Sequence, residues 1–266
     1  MSDLNLKNVR INYPAIWVLA KRELFAFWRN KARIITSFSQ AILFLAVFSL
    51  SLPMKQIPIE GQLVDTKAFI TSGIGALSVL FTGIFGGLGI LRDKMFGFMK
   101  ELIVAPVSRN TLMIGRTLGI ALQTVIQVII VLVISILIGF LGFDATLIWR
   151  ILIVLPVVLL SSLGIVGLGL IIGTKIRDFE SFGLIQTFIV MPMFWLSGAM
   201  FAIDTTDPIM QVLFRCNPFT YSVDLFRFII LGVSYFPYWL DLLVMSIFAI
   251  VLILLGSISF SKMKVT

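Results

Sequence analysis

LGIALQTVIQVIIVLVISILIGF, residues 118–140, holds 23 consecutive positions without a charged side chain. At 1.5 Å per residue a helix of that length reaches about 34 Å, enough to cross a hydrocarbon layer of roughly 30 Å. Gln123, Thr124, Gln127 and Ser135 are its polar residues, so almost every face must be covered by lipid or by other helices. Five more stretches share this character: 34–53, 68–91, 151–173, 182–201 and 242–260. Of the 266 residues, 59% are apolar and 13% charged. Soluble domains carry roughly 45–50% and about 25%, so a soluble globular enzyme is excluded. The sequence predicts an all-α integral membrane protein with six transmembrane helices.

What lies between the spans is short. The longest connection, 202–241, has 40 residues, and a soluble domain needs about 50 or more. Two units are expected: a cytosolic N-terminal segment, 1–33, and a six-helix membrane domain, 34–266. The first span starts too late and runs too long for a cleaved signal peptide, so it reads as an anchor.

Orientation follows from basic residues, which are retained on the cytoplasmic side. Lys7, Arg10, Lys21, Arg22, Arg29, Lys31 and Arg33 precede the first span, and Arg92, Lys94, Lys100, Arg109 and Arg116 lie between the second and third. Lys175, Arg177, Lys262 and Lys264 fall on the same side, leaving only Lys55, Lys67, Arg150, Arg215 and Arg227 opposite. Both termini are expected in the cytoplasm of a cell (inner) membrane. The net charge of +8 is therefore an asymmetry across a bilayer and not a nucleic-acid footprint.

Several chemistries are missing. Cys216 stands alone and there is no histidine, so cysteine–histidine metal sites and imidazole base catalysis are not expected. No G-x-x-x-x-G-K-[ST] loop is present to wrap phosphates. The run LSGAM at 196–200 begins like an ATPase signature, but it closes an apolar span. All charged residues fall outside the six predicted spans, which disfavours a proton-coupled carrier, although sodium held by backbone carbonyls stays open. Work done by such a chain must enter from outside, through its basic face.

Three connections carry information. After Pro14, the apolar Trp17, Ala20, Leu24, Phe27 and Trp28 recur at helical spacing among Lys21, Arg22, Arg29, Lys31 and Arg33. That describes an amphipathic interface helix, either a headgroup-level anchor or a lever beside a cytosolic partner. Between the second and third spans, Phe96, Phe98, Met99 and Leu102 mix with Lys100 and Glu101 before Pro106, and Ser108 is placed to cap the next helix. This suits docking into a partner's groove, or an elbow dipping into the bilayer. In the 40-residue connection, Asp207-Pro208 and Asn217-Pro218 each open a short helix, and Asp224 and Arg227 stand at the i,i+3 spacing of a pair. A re-entrant external helix pair before the last span, or an interfacial pair anchored by Tyr235, Tyr238 and Trp239, satisfies the backbone. Within the spans, Gly83/Gly87 and Gly169/Gly173 allow close helix approach. Gln40, Gln123, Gln127 and Gln186 are the candidate pathway-lining amides.

Together these stretches resemble the membrane subunits of ABC type 2 exporters, the group that includes daunorubicin-type and polysaccharide exporter permeases. GFMKEL with APVSR (97–102 and 105–109) looks like the family's cytosolic coupling region. LSGAMF (196–201) looks like its fifth-span ending, and NPFTY with DLFR (217–221 and 224–227) looks like its external re-entrant segment. The sequence departs from the pattern at Ala202-Ile203, where many relatives have a proline. The resemblance implies that 96–102 contact a separate cytosolic ABC ATPase, with ATP and Mg held by that partner and no cofactor by this chain. It also implies a second permease protomer, most simply a homodimer, enclosing one pathway in the lipid; the cargo is not settled by the likeness, and the excess of Phe (24) over Tyr (4) and Trp (5) leans towards a lipophilic or lipid-linked one. No enzymatic activity of its own is expected. An ion-coupled secondary carrier and a non-transporting membrane scaffold are the alternatives.

Overall fold

The computed structural model describes residues 12–51, 56–59, 61–96, 107–203 and 207–261. Its first element, α1 (Tyr13–Arg29), starts where Asn12 accepts the Ala15 N–H and Pro14 occupies the first turn. After Asn30 the chain continues as α2 (Lys31–Ser51). The exception to the all-helical expectation follows: β1 (Gln56–Ile59) and β2 (Gln62–Asp65) pair antiparallel, Ile57 opposite Val64, around Gly61 at φ 79°. A turn needing φ > 0 puts glycine there without steric cost. Asp65 then caps α3 (Thr66–Met95) by accepting the Lys67 N–H at 2.7 Å.

Ser108 caps α4 (Arg109–Leu137), as its position before the third span predicts. Asp144 caps α5 (Ala145–Lys175), and Asp178 caps α6 (Phe179–Trp195). Hydrogen bonds hold both carboxyls below their usual range, from the Thr146 hydroxyl and Leu147 N–H to Asp144 and from the Ser181 N–H and hydroxyl to Asp178. Asp207 and Asn217 start α7 (Pro208–Cys216) and α8 (Pro218–Leu231), each with proline in the first turn. The last helix is α9 (Tyr238–Ser261).

Among the described residues, α3, α4, α5 and α9 are long and apolar enough to cross a membrane. They correspond to the second, third, fourth and sixth predicted spans. The fifth, expected over 182–201, is shorter: α6 ends at Trp195 and the chain then turns through Gly198 at φ 70°. The cause is local. Pro192 and the π-helical turn at Gln186–Val190 interrupt the ladder without ending the helix, since the Leu196 N–H still bonds the Pro192 carbonyl at 2.9 Å, and the chain leaves the helical path only at Gly198 with its positive φ.

α3 is the buried spine of the bundle, with residues 66–91 covered except for a few such as Phe85, Lys67 and Leu88. It crosses α5 so closely that a Cβ added at Gly87 would overlap the Gly169 carbonyl oxygen, and one at Gly173 would overlap the Gly87 carbonyl. Helices in lipid associate through such packing because the bilayer offers no hydrophobic drive between them. Leu242, Leu243, Ile247, Ile250 and Leu254 of α9 point outward, as lipid-facing positions should. Asp241, expected just outside the last span, lies inside the first turn of α9 and is fully buried, with neither carboxylate oxygen hydrogen-bonded.

Candidate functional site

The basic end of the bundle is organised by α1, which lies lengthwise on α4. Its contact surface requires glycine. A Cβ at Gly115 would sit 2.7 Å from Leu19 Cβ, and one at Gly119 would sit 2.7 Å from Glu23 Cβ. Ala20 and Phe27 turn inward and are buried, while Trp17, Phe25 and Trp28 stay exposed, as do Lys21, Arg22 and Arg29. The Asn12 N–H reaches Thr111 Oγ1 at 3.4 Å. The amphipathic stretch thus has an inner face docked on protein and an outer face of aromatics and cations. Lys21 Nζ stands 5.5 Å from the Trp17 ring centre.

One arginine joins three helices. Arg116 of α4 meets Asp93 of α3 through Nη1 at 2.7 Å, and Glu23 of α1 lies 3.4 Å from its Nε. The second contact is an ion pair without a hydrogen bond, because Nε is poorly aimed. All three side chains are only 12–21% exposed. On the far side of α3, Lys94 donates to the carbonyls of Ile176 at 2.6 Å and Thr174 at 3.1 Å, tying α3 to the end of α5.

Above this cluster a cleft of about 320 Å³ opens between α1, α3 and α4. Glu23, Asn30, Arg92 and Arg116 line its basic end, and Thr82, Gln123 and Gln127 line its depth. Thr82 Oγ1 donates to Gln127 Oε1 at 2.7 Å. Two of the four candidate lining amides therefore share one cavity. Gln186 does not join them; it sits half-buried at the start of the π-helical turn. The Gln40 side chain lies outside the described residues, as do Phe98, Met99, Lys100, Glu101 and Leu102. Phe96, described at the end of α3, is 65% exposed.

At the opposite end, α8 clamps the frayed end of α6. Asn217 Nδ2 donates to the Met193 carbonyl at 2.7 Å and to the Leu196 carbonyl at 2.8 Å, while its Oδ1 accepts from Phe219 N–H. Pro218 is the first residue of α8 behind that cap. Arg227, fully buried, donates to the Gly198 carbonyl at 2.8 Å and stacks 4.0 Å from the Phe69 ring centre. Asp224 accepts the backbone N–H groups of Tyr235 and Phe236 at 2.9 and 2.8 Å. Asp224 and Arg227, at the i,i+3 spacing of a pair, act on each other electrostatically, and each also bonds backbone groups of another segment.

Sequence reading did not single out Glu23, Asp93, Thr82 or Asp241. The available signal was weak: acidic residues beside two predicted apolar runs whose partners lie on other helices.

With this geometry in place, comparison with known proteins is decisive. Residues 14–231 match the model of the family described as ABC-2 type transporter. The chain belongs to this ABC-2 family. The matched region runs from the first turn of α1 to the end of α8. Ycf38 of Porphyra purpurea, which carries the name of a transport permease, is 24% identical over 220 residues, covering 80% of this chain and 73% of that protein. Nodulation protein J of Rhizobium leguminosarum bv. viciae is 22% identical over 226 residues, 84% of this chain and 83% of its own length. The inner membrane transport permease YadH of Escherichia coli is 26% identical over 171 residues, 64% of each chain. ABC-2 family membership, with four membrane-capable helices, makes the chain a multi-pass membrane protein of the ABC transporter membrane-subunit kind, and it implies partnership with ABC ATPase subunits.

Proposed function

We propose that this ABC-2 family member is the permease half of an exporter whose power comes from separate ATPase subunits. In this reading α2 and α6 complete six crossings, both termini lie in the cytoplasm of the inner membrane, and 1–33 and 34–266 act as interface segment and membrane domain. Two copies enclose one pathway. ATP and Mg stay in the partner, and the ATPase contacts residues 96–102 and the outer side of α1 at Lys21, Arg22, Trp28 and Arg29. α7 and α8, fastened by Asn217 and Arg227, form the external gate. Gln123 and Gln127 belong to the cargo route, and the cargo is lipophilic or lipid-linked.

The observation that carries the reading is the Arg116 cluster. A push on α1 or on the end of α3 reaches α4 through ion pairs and close packing, so closure of two ATPases would move these helices as a unit. Only differential contact with the two states can drive such a shift. The test is reconstitution of the chain with and without its ATPase. ATP-dependent export only from the complex, lost when Phe96 and Glu101 are replaced by alanine, is the expected result. Export by the lone chain, or export driven by an ion gradient and indifferent to ATP, refutes it.

A further inference from the structure

The cleft between α1, α3 and α4 holds polar groups that the fold itself does not satisfy. Gln123 is 2% exposed, lines the cavity, and has no hydrogen-bond partner among the described residues. Its amide opens onto the cleft, where a ligand or water can bond it. Gln127 is already engaged by Thr82 through its oxygen. Of the two cations at the basic end, Arg116 is taken by Asp93 and Glu23, whereas Arg92 has no ion-pair partner among the described residues.

The dimensions follow the long axis of a lipid. Arg116 to Gln123 is seven residues along α4, about 10 Å of rise, and Arg92 to Thr82 is about 15 Å along α3. That is about half the hydrocarbon thickness. Charges sit at one end, amides above them, and Phe81, Phe85, Leu88 and Ile120 form the walls. Phe85, on the otherwise buried spine, is 37% exposed. A volume of about 320 Å³ holds a headgroup and glycerol, with acyl chains left outside in the bilayer.

Charge selects the headgroup. Among the described residues, Asp93 neutralises Arg116 from behind the lining, which leaves Arg92 and Glu23 as one positive and one negative group facing the cleft, so a simple anion would meet Glu23 and a simple cation would meet Arg92 without compensation. A zwitterion matches. We propose that the cleft binds a zwitterionic phospholipid of the cytosolic leaflet, its phosphodiester on Arg92, its ammonium on Glu23 and an ester carbonyl on the Gln123 amide. The proposal deepens the transport reading and rests on its orientation; the lipid is cargo only if the chain exports.

The test reads lipid retention on the delipidated full chain by native mass spectrometry, with phosphatidylethanolamine and phosphatidylglycerol of equal chain length. The wild-type chain should prefer phosphatidylethanolamine about tenfold, the worth of one charge-assisted hydrogen bond. Glu23→Gln should abolish the preference, and Gln123→Leu, which preserves volume and spares the Arg116 cluster, should weaken retention about tenfold. Equal retention of the two lipids by the wild-type chain, or undiminished retention by Gln123→Leu, overturns the proposal. Retention is measured without nucleotide, so failure of the export assay would count against the transport reading and not against this site.

Discussion

Replacing Arg116 with methionine keeps the stem of the side chain and removes the charge that joins α1, α3 and α4. The 2.7 Å contact to Asp93 is a charge-assisted hydrogen bond, a class worth about 1.5–3 kcal/mol. The 3.4 Å approach to Glu23 makes no hydrogen bond and adds less than about 1 kcal/mol. Without Arg116 two carboxylates face each other, but side-chain exposures of 17% and 21% let them rehydrate. The loss therefore stays below the roughly 3–5 kcal/mol of a fully buried broken pair. About 2 kcal/mol is expected for the link between α3 and α4, a factor of about thirty, whereas the share that holds α1 on α4 stays below about 1 kcal/mol, a factor of about five at most. Ala20, Phe27 and the contacts at Gly115 and Gly119 still dock the helix, so α1 should open more often without unfolding. Hydrogen exchange in the last turn of α3 around Asp93 should accelerate by about thirtyfold, and that of the α1 amides by no more than about fivefold. A double-mutant cycle with Asp93→Asn should give a coupling energy of about 1–2 kcal/mol. Exchange in the last turn of α3 within threefold of wild type, with a folded variant, would refute the role given to the cluster.

Other parts of the fold make separate predictions. Asn217→Ala strips two donors from the end of α6 and a cap from α8, so stability should fall by about 3 kcal/mol; Asn217→Asp, which keeps the cap but not the donors, should fall between it and wild type in thermal unfolding. Gly87→Ala drives a methyl into the Gly169 carbonyl and should cost about 2–3 kcal/mol, seen as lost folded yield, whereas Gly142→Ala, with nothing within 4 Å, should cost less than about 0.5 kcal/mol; equal yields would contradict the close crossing. Asp178 has its carboxyl lowered by bonds from Ser181, so its cap stabilises α6 above the ordinary carboxylate pKa near ~3.9 and is lost as pH falls through and below it. With intrinsic exchange divided out, the protection of the Ser181 amide should fall on acidification in wild type and stay level in Asp178→Asn.

Much of the helix plan was legible because each signal is local. Ser108, Asp207-Pro208 and Asn217-Pro218 each start a helix in the structure through contacts within three residues, and the glycine pairs at 83/87 and 169/173 advertised a close crossing. The fifth span was overextended because Pro192 lies inside an uninterrupted apolar run, and apolarity alone does not report the π-helical turn or the stop at Trp195. The hairpin at 56–65 was missed because four-residue strands carry almost no periodic signal.

Sequence alone determined the solvent and the elements: in lipid a backbone must satisfy its own hydrogen bonds, so long uncharged runs become helices wherever they pack. Tertiary structure alone decided the partners. Asn217 bonds a carbonyl 24 residues away, Gln127 meets Thr82 across 45 residues, and Arg116 draws in carboxylates from two other helices. Such contacts depend on how helices rotate and cross against one another, which is set by side chains distant in the chain interlocking at glycine-lined surfaces.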